Sequence, residues 1–134
     1  MMFGAEAFLE YFTFSQPTYD YHQFRFTRAR DLAAQKTMFD LFDALNPDIR
    51  VFQSRGGKLL LFHGWNDPVI SPYATINYYQ RVMQRLGSEG DRTVRLFMEP
   101  GVLHCGGGPG GKPVDYISPL ENWWRKVSRH QPFQ

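Results

Sequence analysis

Two side chains in this sequence have the types and settings for proton transfer. Asp67 stands in HGWNDPVIS and His104 in PGVLHCGGGPGG. An aspartate held against a histidine fixes the tautomer of the imidazole and steadies the imidazolium that forms when a proton arrives. Each residue also has an ordinary structural use. Asp67 precedes Pro68 and suits a turn, and a histidine in a glycine loop can serve the loop alone. Directly behind His104 comes Cys105, the single cysteine of the chain, followed by glycines at 106 to 108, 110 and 111.

A nucleophile to go with this pair is missing. Ser15, Ser54, Ser71, Ser88, Ser118 and Ser128 all stand outside a G-x-S-x-G sequence, the sharp strand-to-helix turn that exposes a hydroxyl. Cys105 adjoins His104, and neighbours in sequence seldom hold the geometry that nucleophile and base require. Two other chemistries fail on spacing. GGGPGGKP, residues 106–113, begins like a phosphate-binding loop but carries Pro113 where a magnesium-binding Ser or Thr belongs. His63, Asp67, His104 and Cys105 could converge, yet no pair has zinc spacing, so no metal is expected. His22 and His130 are expected to be exposed.

The elements that must position Asp67 and His104 follow from local signals. With 134 residues, 43% hydrophobic and 21% charged, the chain reads as one modest globular domain. One cysteine allows no internal disulfide. The formal charge is +2, and the basic residues Arg25, Arg28, Arg30, Arg81, Arg85, Arg125 and Lys126 form no stripe of the kind that grips nucleic acid. No apolar run has the length of a membrane span, and MMFGAEAFLEYF lacks the basic start and long apolar stretch of a secretory signal. Residues 1–14 have a helical pattern, and residues 15–28 are aromatic-rich and irregular or extended. Apolar residues Leu32, Phe39 and Phe42, with Ala34, Met38, Leu41 and Leu45 beside them, predict a helix over 29–45 with a wide apolar face. It stops at Asn46-Pro47, since a residue before proline leaves helical geometry. GGKLLLFHG predicts a strand at about 58–63, buried on both faces. Ser71 as N-cap, Pro72 at the first position and Gly87 after the last turn bracket a helix. A second strand is predicted at about 93–99 and a closing helix at 119–128, with Leu120, Trp123, Trp124 and Val127. Strand, helix, strand, helix is the grammar of an α/β protein with a parallel sheet. Asp67 and His104 then fall on loops at the carboxyl ends of its strands, where such sheets bind ligands.

The motifs also carry a likeness. NPDIRVFQSRGGKLLLFHGWNDPVISPYATINYYQRV and VRLFMEPGVLHCGGGPGG resemble the carboxyl-terminal part of the tannase and feruloyl esterase family of α/β-hydrolases. FLEYFTFSQPTYDYHQFRF is similar to the aromatic stretch just upstream in those enzymes. The resemblance covers about residues 8–128. It implies an α/β fold, the carboxyl-terminal portion of an α/β-hydrolase without the lid domain, in a single partial domain of 1–134 (1–28 aromatic segment, 29–134 strand-helix core). It implies that Asp67 is the triad aspartate, His104 the general base, and Cys105 one half of a disulfide whose partner precedes the catalytic serine, outside this chain. The family's lid calcium site is likewise outside it, so no cofactor is expected. FRFTRARD departs from the family pattern, lacking an acidic residue near position 27.

By this resemblance the chain is part of a serine ester hydrolase acting on esters of hydroxylated aromatic acids, without the nucleophile and inactive alone. The family's setting is secreted or periplasmic. Two rivals stand beside that reading. One is a non-catalytic protein that oligomerises through an open sheet edge. The other is a complementing subunit whose partner supplies the Cys-Ser half. No nucleic-acid or membrane partner is expected.

Overall fold

A computed structural model of the protein describes residues 6–112 and 114–128; the expectation for His130 concerns a residue outside them. Contacts divide the chain into two compact units, Met1–Leu45 and Asn46–Gln134. The helix that begins at residue 29 thus groups with the aromatic segment before it. Among the described residues no helix is long and apolar enough to cross a membrane.

In the first unit the clustered aromatics pack on one another. Phe8–Thr13 forms a π-helical turn, Phe14 stacks on Tyr19 at 4.3 Å, and the Arg30 guanidinium lies 5.1 Å over the Phe14 ring. Then comes α1 (Ala29–Phe42). Its first-turn Asp31 is fully buried and accepts the Arg25 N–H at 2.9 Å, with the Arg28 and Arg30 guanidinium groups at 3.8 and 3.7 Å. A carboxylate there also meets the positive end of the helix dipole. Two expectations need correction. The helix ends at Phe42, with Asp43 already extended, short of Leu45. Its apolar face is open as well: Leu32, Phe39, Leu41 and Leu45 are all exposed.

The second unit positions the candidate site. Asp48 grips Arg50 through Nε at 2.8 Å and Nη2 at 2.6 Å, which brings its carboxyl down to about 2. This opens the short α2 (Arg50–Ser54), which the sequence signals did not indicate. Two strands follow at the expected places, β1 (Leu59–Gly64) and β2 (Val94–Glu99). They pair in parallel, with Leu59 opposite Val94 and Gly64 opposite Glu99. Between them α3 (Pro72–Leu86) packs against both strands and buries Val82 completely.

Ser71 occupies the N-cap position, but its side chain makes no capping bond; its carbonyl accepts the Ala74 N–H instead. Gly87 has φ 55° and ψ −127°, a combination outside the left-handed helical basin and open to glycine alone. The chain turns there through a 3₁₀ turn and α4 (Gly90–Thr93) into β2.

The sheet is not buried on both faces as its apolar run suggests. Register partners Phe62 and Phe97 share a face and are 54% and 47% exposed; among the described residues Tyr116 stacks on Phe62 there, at 4.5 Å. The closing helix α5 (Ile117–Ser128) starts two residues earlier than its apolar pattern. The reason is the Asp115 carboxylate, which accepts the Ile117 and Ser118 N–H groups at 3.0 and 3.1 Å as an N-cap does. Lys58 and Arg95 both lie 5.5 Å over the Trp123 ring. The side chain of Val127 is outside the described residues.

Candidate active site

Where β1 and β2 end, the chain keeps the two strands laced together. The Trp65 N–H donates to the Glu99 carbonyl at 2.9 Å and the Asn66 N–H to the Val102 carbonyl at 3.0 Å. The loop after β1 and the loop after β2 are therefore bonded through their backbones before any side chain enters. Gly64 is buried at this crossing. A Cβ there would meet the Val102 carbonyl carbon at 2.8 Å and the Leu103 carbonyl oxygen at 2.9 Å, so only glycine admits so close a passage.

Asp67 sits in the first loop with its side chain only 5% exposed. Its Oδ1 accepts the Val69 N–H at 2.8 Å and the Ile70 N–H at 3.0 Å, which makes it the turn residue that Asp-Pro suggested. Its Oδ2 lies 2.8 Å from His104 Nδ1. The structural and the chemical uses of this aspartate are thus made by different oxygens. Burial opposes the charge of Asp67, but hydrogen bonds from the Ile70 N–H, His104 and the Val69 N–H outweigh it and hold the carboxyl well below the ordinary carboxylate range. An ionised Asp67 requires a proton on His104 Nδ1, which leaves Nε2 as the acceptor in the neutral ring.

His104 comes from a loop that folds on itself. The Leu103 N–H donates to the Gly107 carbonyl at 3.2 Å and the Gly110 N–H to the Gly101 carbonyl at 3.2 Å. The His104 side chain is 41% exposed and borders an open cavity of about 580 Å³ together with His63, Asp67, Leu103, Cys105 and Tyr116. That size lies within the range of small-molecule sites. The Cys105 thiol is free and exposed. Its backbone has φ 59°, a left-handed conformation that costs a non-glycine residue about 1 kcal/mol. Across the cavity the Tyr116 hydroxyl donates to the Glu99 carboxylate. Burial and that carboxylate push the phenol up to about 12.

Of the residues weighed for chemistry, Asp67 and His104 meet, Cys105 stands beside them, and His63 comes within reach of Asp67 as well, its Nε2 3.2 Å from Oδ2. The imidazoles direct nitrogens at the carboxylate they share, and no three His, Cys, Asp or Glu side chains among the described residues are arranged to hold a metal ion. His22 is exposed. Sequence reasoning weighed His63 only as a metal ligand. Its position four residues before Asp67 and at the end of a strand was the signal for a place beneath the aspartate. Glu99 and Tyr116 were not singled out at all, being separated in sequence.

Comparison with known proteins covers most of the chain. The family model described as "Tannase and feruloyl esterase" matches residues 1–131. A mono(2-hydroxyethyl) terephthalate hydrolase of Piscinibacter sakaiensis is 38% identical over 66% of this chain and 14% of its own length. Feruloyl esterase B of Aspergillus niger is 36% identical over 81% of this chain and 21% of its own length. Crystal structures of a feruloyl esterase B and of an esterase from Aspergillus oryzae superpose with TM-scores of 0.71 and 0.72 at 24% and 25% identity. They cover 92% and 90% of this chain, and 28% and 27% of their own. The chain therefore spans between about a seventh and a fifth of the length of these curated relatives, and its fold is a partial α/β-hydrolase. With the family model spanning both units and a matching fold, the chain belongs to the tannase and feruloyl esterase family.

Proposed function

We propose that this chain carries the acid–base half of a serine carboxylic-ester hydrolase, and that it has no turnover by itself. The observation that carries the reading is the 2.8 Å bond between His104 Nδ1 and Asp67 Oδ2, at the carboxyl ends of two paired strands and beside an open cavity. In the complete site His104 Nε2 takes the proton of a serine hydroxyl as the serine attacks the ester carbonyl. It returns that proton to the leaving alkoxide, while Asp67 keeps the ring in the required tautomer. The serine and the oxyanion donors come from a preceding segment, to which Cys105 is tied by a disulfide. The substrate is an ester of an aromatic carboxylic acid, the feature common to the relatives named for feruloyl and terephthalate esters.

A second reading is favoured by the two-stranded sheet and the exposed Phe62 and Phe97: a partner covers that surface. Here the partner is the half bearing the serine, joined as a separate polypeptide, or a second copy of this chain. Methyl ferulate hydrolysis tests the function. The pure chain is expected to match a His104→Ala control. Mixed under oxidising conditions with a polypeptide bearing the family's Cys-Ser segment, it is expected to gain activity that the control does not. Hydrolysis by the chain alone, well above the control, refutes the proposal. Light scattering of the unmixed chain separates a discrete dimer from a monomer awaiting its other half.

A further inference from the structure

Asp67 Oδ2 has two imidazoles on it. We propose that His63 is a positioning residue: its Nε2–H, donated to the Ile70 carbonyl, also lies 3.2 Å from Asp67 Oδ2 and by that contact steadies the carboxylate that orients His104. Its consequence for catalysis rests on the esterase reading, while its geometry does not.

His63 projects from β1 with its side chain only 11% exposed. Its ring is held at both nitrogens. Nδ1 lies 2.7 Å from the Thr75 hydroxyl of α3, and Nε2 lies 3.2 Å from the Ile70 carbonyl and 3.2 Å from Asp67 Oδ2. The chemistry of these neighbours chooses one tautomer. Nε2 faces a carbonyl and a carboxylate, which only accept, so it carries the proton. Nδ1 faces a hydroxyl, which can donate to it. The single Nε2–H is donated to the Ile70 carbonyl, and the same edge of the ring lies 3.2 Å from the carboxylate.

The two oxygens of Asp67 are then held in different ways. Oδ1 is pinned by two N–H groups of its own turn. Among the described residues His104 is the side-chain hydrogen-bond donor to Oδ2, and that ring is 41% exposed on a glycine loop. His63 sets an imidazole edge, fixed by the strand and by α3, against Oδ2, so the plane of the carboxylate is set by the core as well as by the loop. A histidine serving only the core would be complete with Thr75 and the Ile70 carbonyl. The approach to Oδ2 is the feature such a role leaves without a purpose.

Nitrogen-15 NMR of the whole chain tests this without substrate or serine. The expected wild-type spectrum has His63 as the Nε2–H tautomer and a downfield, slowly exchanging Nδ1–H on His104. His63→Leu is expected to speed exchange of that His104 proton at least about tenfold, since a tenfold change corresponds to about 1.4 kcal/mol, within the range of a hydrogen bond to a charged group. His63→Gln, whose amide can replace the Nε2–H, is expected to restore most of the protection. His63 found as the Nδ1–H tautomer in the wild type overturns the proposal, and this result does not depend on any variant folding. An unchanged His104 signal in folded His63→Leu overturns it too and leaves the esterase reading standing. A wild type with no His104 Nδ1–H signal refutes the Asp67–His104 pair itself, and with it the esterase reading.

Discussion

Gly64→Ala probes what sets the distance between Asp67 and His104. Gly64 ends β1 at the crossing of the two loops, where an added methyl group falls 2.8 Å from the Val102 carbonyl carbon and 2.9 Å from the Leu103 carbonyl oxygen. Carbon atoms settle at about 3.5 to 4.0 Å from one another, so residues 102 and 103 must retreat by on the order of 1 Å. They cannot simply rotate away, because the Val102 carbonyl accepts the Asn66 N–H at 3.0 Å. His104 is the next residue and moves with them. Lengthening its 2.8 Å bond to Asp67 by roughly 1 Å carries it past the hydrogen-bond limit.

Overpacking of this kind costs about 1 to 3 kcal/mol, or a fall in Tm on the order of 10 °C for a unit this small. In an esterase reconstituted with the serine-bearing half, a 1 Å displacement of the base costs about 100-fold in kcat/KM. Circular-dichroism melting measures the first effect and methyl ferulate kinetics the second. The His104 Nδ1–H resonance reports the displacement itself. A variant that melts within about 2 °C of wild type and keeps that resonance refutes the reasoning, for it would show that the strand-end crossing does not set the position of His104.

Two further outcomes test the frame and its electrostatics. Val82→Ala removes two buried methylene equivalents from the helix face that packs on both strands. At about 0.8 kcal/mol each plus a cavity term, less about 0.5 kcal/mol for the better helix propensity of alanine, the net loss is about 1.5 kcal/mol. Val51→Ala, at a position 66% exposed, should change stability by less than about 0.5 kcal/mol; equal losses in denaturant titration would contradict the burial assignment. Tyr116 is neutral in the folded state up to about pH 12 against an ordinary 10.0. Because the folded value is the raised one, its stabilisation is whole below pH 10 and lost as the pH climbs through about 12. Ultraviolet titration should show one late tyrosine that disappears in Tyr116→Phe and titrates earlier in Glu99→Gln. A single transition near 10 for every tyrosine would exclude the Glu99 contact.

The sequence was most legible where local chemistry dictates the element. The glycine-bounded run GGKLLLFHG and the segment TVRLFME located both strands to within a residue, and Pro72 and Gly87 bracketed α3. The helix starts were harder, because a cap depends on which way a side chain turns: Ser71 leaves its hydroxyl out of the cap while Asp115, unremarked in sequence, provides one. Burial was the least legible property. Periodicity reports which face of α1 or β1 is apolar, not whether anything covers it, and Leu41 at 71% exposure carries the same signal as a core leucine. In the site, Asp67 and His104 could be read because each ends a loop with its own composition. His63 was hidden inside an apolar strand, and the Glu99–Tyr116 contact joins residues 17 positions apart.

The two members of the pair are held with unequal firmness, and the inequality has a direction. Asp67 is anchored by two backbone N–H groups and approached by an imidazole that the core holds. His104 stands on a self-bonded glycine loop with its ring partly exposed, and the next residue, Cys105, is free, exposed and kept at φ 59°. A disulfide formed there would fasten the loop on the side where the core does not reach it. On the proposed reading, geometry on the Asp67 side is complete within this chain, while a covalent link from outside would complete the His104 side. On this argument, linking Cys105 to the segment that bears the serine has two effects at once: it brings the nucleophile to Nε2 and removes the remaining freedom of the base. Mixing without oxidation should accordingly yield less activity per bound complex than mixing with it, and equal activities would show that the glycine loop holds His104 without the clamp.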